Sequence, residues 1–353
     1  MVYFNSTSDM TNQKIRFFLM ASAGLLFFSA CRKVEKPDNL IDYDVAYVVN
    51  GESNSITMYN TATLELIEEV AILKGSWAHH INTNMNQDKL LISITGSDMS
   101  GGHAGHGDDT KSYILELSAK ELNVLNFKKL DHVAHNAIYA MNDQEIWVPQ
   151  LTSDGYIVRY SADNMKELGE IQVGSEPLEI TMSANASYYF VCNGDDNTVS
   201  VISSSDASVV KTIQVGDEPV GAWPAANNKM YADCEVSKEI YEIDVTTLNV
   251  IDTIPLSFTP AYVAYNDFMN QLWVTDAEYG GVRYFEQTAG EWVEMGFLAT
   301  GNNAHAIAFS EDEKTAFVTN QNDNTLSVIN VLSLTVTTTL YTASKPNGIL
   351  IIP

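Results

Sequence analysis

A chain of 353 residues with 45% hydrophobic and 18% charged side chains suits one large or two ordinary globular domains and excludes a disordered polymer. Its 19 Lys and Arg stand against 45 Asp and Glu, a formal net charge of −26. So acidic a surface repels phosphate backbones and attracts cations, which removes nucleic acid from the expected partners.

In chain order, residues 14–31 come first. Lys14 and Arg16 form a positive region, Phe17 to Phe28 an apolar run short for a membrane span, and Ser29-Ala30 the small residues ahead of Cys31. Phe28-Ser29-Ala30-Cys31 resembles a bacterial lipobox, with Phe where Leu is usual. The resemblance implies that residues 1–31 are a lipoprotein signal peptide ending at a lipidated Cys31, with an uncleaved anchor as the alternative. The expected location is the bacterial cell envelope, periplasmic or at the outer-membrane surface, with membrane contact through the lipid anchor only. Residues 32–41 then form a polar tether.

Residues 42–353 repeat. Tyr47-Val-Val-Asn50 is followed by Asn54-Ser-Ile-Thr57, Phe190-Val-Cys-Asn193 by Asn197-Thr-Val-Ser200, and Phe317-Val-Thr-Asn320 by Asn324-Thr-Leu-Ser327. Weaker copies begin at Leu91, Trp147, Tyr231 and Trp273. The spacing is 41 to 44 residues, except for 56 between Leu91 and Trp147. Short apolar–polar alternations broken by Asn, Asp and Gly predict half-buried antiparallel strands with tight turns. Four strands in about 40 to 45 residues is the period of a propeller blade. The predicted fold is all-β, a seven-bladed β-propeller of four-stranded antiparallel blades. The first repeat lacks an inner strand, and Lys345 to Pro353 is an inner strand without a blade. Joining the two closes the ring and removes exposed edges.

These quartets, with segments such as Ile213-Gln-Val-Gly216 and Asp217-Glu-Pro219, resemble the YVTN-repeat (YncE-like) propellers over about residues 42–353. The resemblance implies the fold strongly and function weakly, because that family mixes binding proteins with poorly understood exported ones.

Aligning the inner strands makes Asn347, His79, His135, Leu178, Val220, Ala261 and His305 equivalent around the ring. His79, His135 and His305 therefore flank Asn347 on one side of the channel mouth, opposite an apolar side. The long spacing places an insertion, Gly96 to Thr110, between the second and third strands of blade two. Strand reversal brings that loop to the same face as the inner-strand starts. His103 and His106, with His80, are expected to close over the mouth, and His132 to share its face. The plain alternative for His132 is a satisfied surface residue.

Imidazole binds zinc, copper, nickel or iron, and the thioether of Met99 favours copper. Asp98, Asp108, Asp109 and Asp131 are candidates to orient the rings or to serve as ligands, and Glu179 is a candidate polar wall. The candidate metal set is His79, His80, His103, His106, His135 and His305, with copper ahead of zinc and a capture or delivery role ahead of turnover. No GxSxG, HExxH, Walker or CxxCH motif is present, and no catalytic residue is proposed. A mononuclear metal enzyme is one alternative. Nitrous oxide reductases also carry a histidine-bound copper cluster at a seven-bladed hub, but Leu178, Val220 and Ala261 leave half of this rim bare. A second alternative follows from propellers resembling this family that capture cobalamin, namely a surface receptor for a metal-containing ligand such as cobalamin or haem. A protein partner on the propeller face is the third. Cys192 and Cys234 fall on neighbouring blades, too far apart to bridge, and are expected to be buried thiols.

Overall fold

The computed structural model describes residues 43–99 and 111–353. The expected signal peptide, Cys31, the tether and the insertion residues His103, His106, Asp108 and Asp109 lie outside the described residues.

The described residues form seven four-stranded antiparallel sheets arranged as blades. Six blades use four consecutive strands, as in Pro177–Met182, Tyr188–Asn193, Thr198–Ser203 and Val209–Gln214. The remaining blade takes its inner strand from the C-terminus. Pro346–Ile352 pairs with Val45–Asn50, with Ile352 opposite Val45, and Ser55–Asn60 and Leu66–Ala71 complete the sheet. The closure expected from the two incomplete ends is therefore present.

The repeated quartet has a physical reason at both ends. Its last residue, Asn, is buried and bonds across the hairpin. The Asn193 amide donates to Thr198 Oγ1 and Ser200 Oγ, both at 3.0 Å, and Asn320 donates likewise to Thr325 and Ser327. Asn50 repeats the pattern with Ser55 and Thr57. The hairpin residues Asn54, Asn197 and Asn324 take φ of 50°, 55° and 55°, a left-handed conformation that Asn tolerates best among residues with a side chain. The first residue of each quartet is a wedge between blades. Tyr47, Leu91, Trp147, Phe190, Tyr231, Trp273 and Phe317 are all buried. Tyr47 also donates its hydroxyl to Ala119 O of the next blade at 2.8 Å.

One irregularity positions everything that follows. In the inner strand of blade two, Ala78 faces Ile94 and Ile81 faces Ile92, so His79 and His80 together oppose Ser93. This is a β-bulge, which bends a strand and re-aims its side chains. The same shift occurs at Leu178-Glu179, Val220-Gly221, Ala261-Tyr262 and His305-Ala306. In blade three, regular pairing starts only at Ile138, so His135 and Asn136 precede the strand rather than open it. The facing strand Glu145–Gln150 carries Pro149, which has no N–H to donate.

Candidate metal centre

Each bulge sends two residues toward the channel, which creates two tiers. The first tier is the ring of Asn347, His79, His135, Leu178, Val220, Ala261 and His305. The second is Gly348, His80, Asn136, Glu179, Gly221, Tyr262 and Ala306. Gly348 is required by approach: a Cβ there would lie 2.7 Å from the carbonyl oxygen of His79. Its absence lets the closing strand sit directly against the histidine-bearing bulge.

His79, His80 and His135 are buried and converge. Their rings lie 4.4 to 4.9 Å apart, centroid to centroid, and the three offer ligand atoms within 4.8 Å of one another. His79 Nε2 lies 2.9 Å from His135 Nε2. Behind them, Glu179 Oε1 lies 3.0 Å from His135 Nδ1 and 3.1 Å from His80 Nε2. The Glu179 carboxylate thus stands within ion-pair distance of one nitrogen on each ring. Asn136 fixes the carboxylate in turn. Its amide donates to Glu179 Oε2 at 3.4 Å and Ile180 O at 3.0 Å, while its Oδ1 accepts from Ile180 N at 3.1 Å.

Ser93 joins the two histidine-bearing segments. Its hydroxyl accepts from the backbone N of His80 at 3.1 Å and donates to the carbonyl of His135 at 2.6 Å. Thr319 braces blade seven in the same way, between Ala306 N and Asn347 O.

This chemistry suits a metal. Two nitrogens about 2.0–2.1 Å from one ion lie about 2.9 Å apart at a right angle, and about 3.3 Å apart in a tetrahedron. The His79–His135 separation fits the first arrangement, which tetragonal copper adopts. The carboxylate behind His135 supplies the outer contact that metal-bound imidazoles require.

The cluster divides the channel. On the side of the insertion, a cavity of about 300 Å³ is lined by His79, His135, His305, Met99, Glu235 and Glu278 among others. On the other side, a cavity of about 310 Å³ is lined by His80, Asn136, Trp223 and Tyr262 among others. Glu179 faces both. Met99, buried at the start of the insertion, thus lies on the face that strand reversal assigned to that loop. His305 joins the first cavity, its ring 5.8 Å from that of His79.

Two expectations need correction. His80 does not close over the mouth with the loop; it sits one residue beyond His79 in the bulge and faces the second cavity. The side opposite the histidines is not simply apolar. Leu178, Val220 and Ala261 occupy the first tier, but Glu179 reaches across from the second, and Glu235 lines the cavity from the end of a neighbouring strand. Burial, then the charges of Asp233, Glu218 and Glu179, pushes the Glu235 carboxyl up to about 8. Burial also raises the Asp233 carboxyl to about 7, against the Trp223 indole N–H that donates to it at 2.7 Å. Asp98 Oδ2 lies 3.9 Å from Lys345 Nζ.

Asp131 is exposed and His132 half-buried; the His132 backbone N–H donates to Gln150 Oε1 at 3.1 Å. Cys192 and Cys234 are buried and unbridged, as expected. Asp233 and Glu235 carried no usable signal in the sequence. They flank Cys234 at the end of an inner-blade strand, where acidic turn residues are common.

No family model matches the chain, and no curated protein matches it either. Solved structures do. The periplasmic gluconolactonase of Pseudomonas aeruginosa is 12% identical with a TM-score of 0.71, covering 88% of this chain and 99% of its own. A protein from Lactobacillus plantarum is 13% identical with a TM-score of 0.70, covering 88% and 99%. A dihydro-heme d1 dehydrogenase is 12% identical with a TM-score of 0.63, covering 87% and 66%. The chain is a seven-bladed propeller, as the gluconolactonase and the Lactobacillus plantarum protein are. At such identity the likeness carries the fold and no activity.

Proposed function

We propose that this chain is an exported, lipid-anchored propeller of the YVTN (YncE-like) kind that binds a transition metal, copper ahead of zinc, for capture or delivery in the cell envelope. The reading rests on one observation above all. His79 and His135 meet Nε2 to Nε2 at 2.9 Å in a buried channel, with Glu179 holding the far nitrogen of His135. His80 is the third ligand candidate, and His305 and Met99 stand beside the first cavity to complete or change the set. His103 and His106 join them in this proposal from their place in the insertion. A thioether near imidazoles favours copper over zinc. The acidic chain concentrates cations at its surface.

The competing reading, a receptor for cobalamin or haem, has less support. Each channel cavity is at the small end of the range for organic ligand sites, about 300–1,000 Å³. A corrin or porphyrin would have to lie over the mouth.

Calorimetric titration of the metal-free protein with Cu(II) and Zn(II) is the test. The expected result is one tight copper site, lost in the His79→Ala, His135→Ala double variant. No site, or a site that survives both substitutions, overturns the proposal. An absorbance shift with cobalamin or haemin and none with copper would favour the receptor.

A further inference from the structure

The second cavity, about 310 Å³, lies on the far side of the histidine cluster and offers a ligand something different from the first. Ile81, Ile138, Ile180, Ala306 and Ile349 give it apolar walls, and no Lys or Arg lines it. Glu179 does line it, but both carboxylate oxygens are engaged: Oε1 stands 3.0 Å from His135 and 3.1 Å from His80, and Oε2 accepts from Asn136. The other polar side chains around it are also committed within the protein. Asn82 donates to Ala137 O at 2.9 Å, Thr83 to Lys89 O at 2.8 Å, Tyr139 to Glu116 at 2.8 Å, Trp223 to Asp233 at 2.7 Å, and Thr181 to Ala222 O.

Tyr262 is the exception. Its ring packs against Trp223, centroids 3.9 Å apart, which fixes the ring in the cavity wall. Its hydroxyl makes no hydrogen bond to a described residue. At neutral pH a phenol is an O–H donor.

We propose that the second cavity binds a small uncharged organic molecule, apolar except for one carbonyl oxygen that accepts from the Tyr262 hydroxyl. An anion would meet no cationic side chain there, and a cation would find the carboxylate oxygens already engaged; an unpaired charge is costly to bury. A polyhydroxylated ligand such as a sugar would set most of its hydroxyls against isoleucine. An alcohol brings a second O–H to the Tyr262 hydroxyl, and one of the two hydrogens would go without an acceptor. A carbonyl oxygen has no hydrogen to place, so one bond satisfies both partners. The volume is at the small end for organic ligands and suits a single-ring molecule.

The inference does not depend on metal binding, because His79 lines the first cavity and not the second. The test is ligand-observed NMR titration of metal-free full-length protein with acetophenone, ethylbenzene, benzoate and benzylammonium. Acetophenone is expected to bind about three- to tenfold more tightly than ethylbenzene, the worth of one hydrogen bond, and the two ions not at all. Tyr262→Phe keeps the ring against Trp223 and should erase the margin of ketone over hydrocarbon. Ala306→Phe, which fills the cavity from its wall, should abolish binding of both while the thermal melt shows a folded protein. His79→Ala should keep acetophenone binding while losing copper, which separates this proposal from the metal reading. No binding of acetophenone, preference for either ion, a ketone margin retained in Tyr262→Phe, or binding unchanged in folded Ala306→Phe would each overturn it.

Discussion

His79 of blade two and His135 of blade three meet at 2.9 Å through their Nε2 atoms, and the pair is backed by Glu179 of blade four. Three consecutive blades thus build one centre, and its geometry depends on how those blades are held together. Glu179→Gln keeps the shape but exchanges the anionic group 3.0 Å from His135 Nδ1 for an amide. Copper affinity is expected to fall 10- to 100-fold, the usual effect of losing an outer-shell partner. Calorimetry against the parent checks it, and an unchanged affinity would remove Glu179 from the site.

Ser93 is expected to act on the same site through the backbone. Ser93→Ala breaks both the His80 N contact and the His135 O contact, leaving two buried backbone groups without that partner. We expect about tenfold weaker copper binding and a loss of about 2 kcal/mol in urea unfolding. Ser93→Thr, which restores the hydroxyl as Thr319 does in blade seven, should recover both. A merely structural role would lower stability and leave affinity in place.

The channel acids make stability pH-dependent. Asp233 and Glu235 have folded-state pKa values of about 7 and 8, raised above their ordinary 3.8 and 4.5. The folded state therefore holds protons that the unfolded state has released, so stability falls as pH rises from about 4 to about 8. Below that window both states are protonated and the penalty vanishes. Asp233→Asn should stabilise the protein on the order of 3 kcal/mol at pH 8 and have little effect at pH 4. Thermal melts across pH test this; equal gains at both pH values would contradict it.

Asn193 and Asn320 should be costly to replace because each is buried and donates to two hydroxyls of its own hairpin. Asn193→Ala is expected to cost about 2–3 kcal/mol in chemical denaturation, two hydrogen bonds with their orphaned partners. Trp147→Ala, at the equivalent blade wedge, should cost about 3–5 kcal/mol through the cavity it leaves.

Cys192 and Cys234 are buried, and burial pushes both thiols well above their ordinary range. Native protein should leave both unlabelled by a thiolate-directed reagent, and denatured protein should label at both. Rapid labelling of either in the native state would mean that its blade opens readily.

The blade repeat was legible because its causes are local. Phe190 lies in a short aromatic and apolar run, Tyr188 to Cys192, closed by Asn193, which needs hydroxyls five and seven residues on, so the motif is short-range in sequence as well as in space. The alignment of His79, His135 and His305 followed from the same period. His80 was misplaced because period-two alternation predicts opposite faces for consecutive residues, and a bulge defeats that rule. Glu235 and Asp233 were missed because nothing local distinguishes them from acidic turn residues.

The sequence by itself therefore determined the number of blades, the closing strand, the hairpin chemistry and the tier on which three histidines fall. All of these arise from strand alternation and turn preference over a few tens of residues. Only the tertiary structure decided that His79 and His135 meet, that Ser93 and Glu179 hold them, and that Met99 and Glu235 line the same cavity. Those contacts join residues on different blades, and their distances are set by ring closure, bulge geometry and the close approach that Gly348 permits. No local pattern encodes such distances.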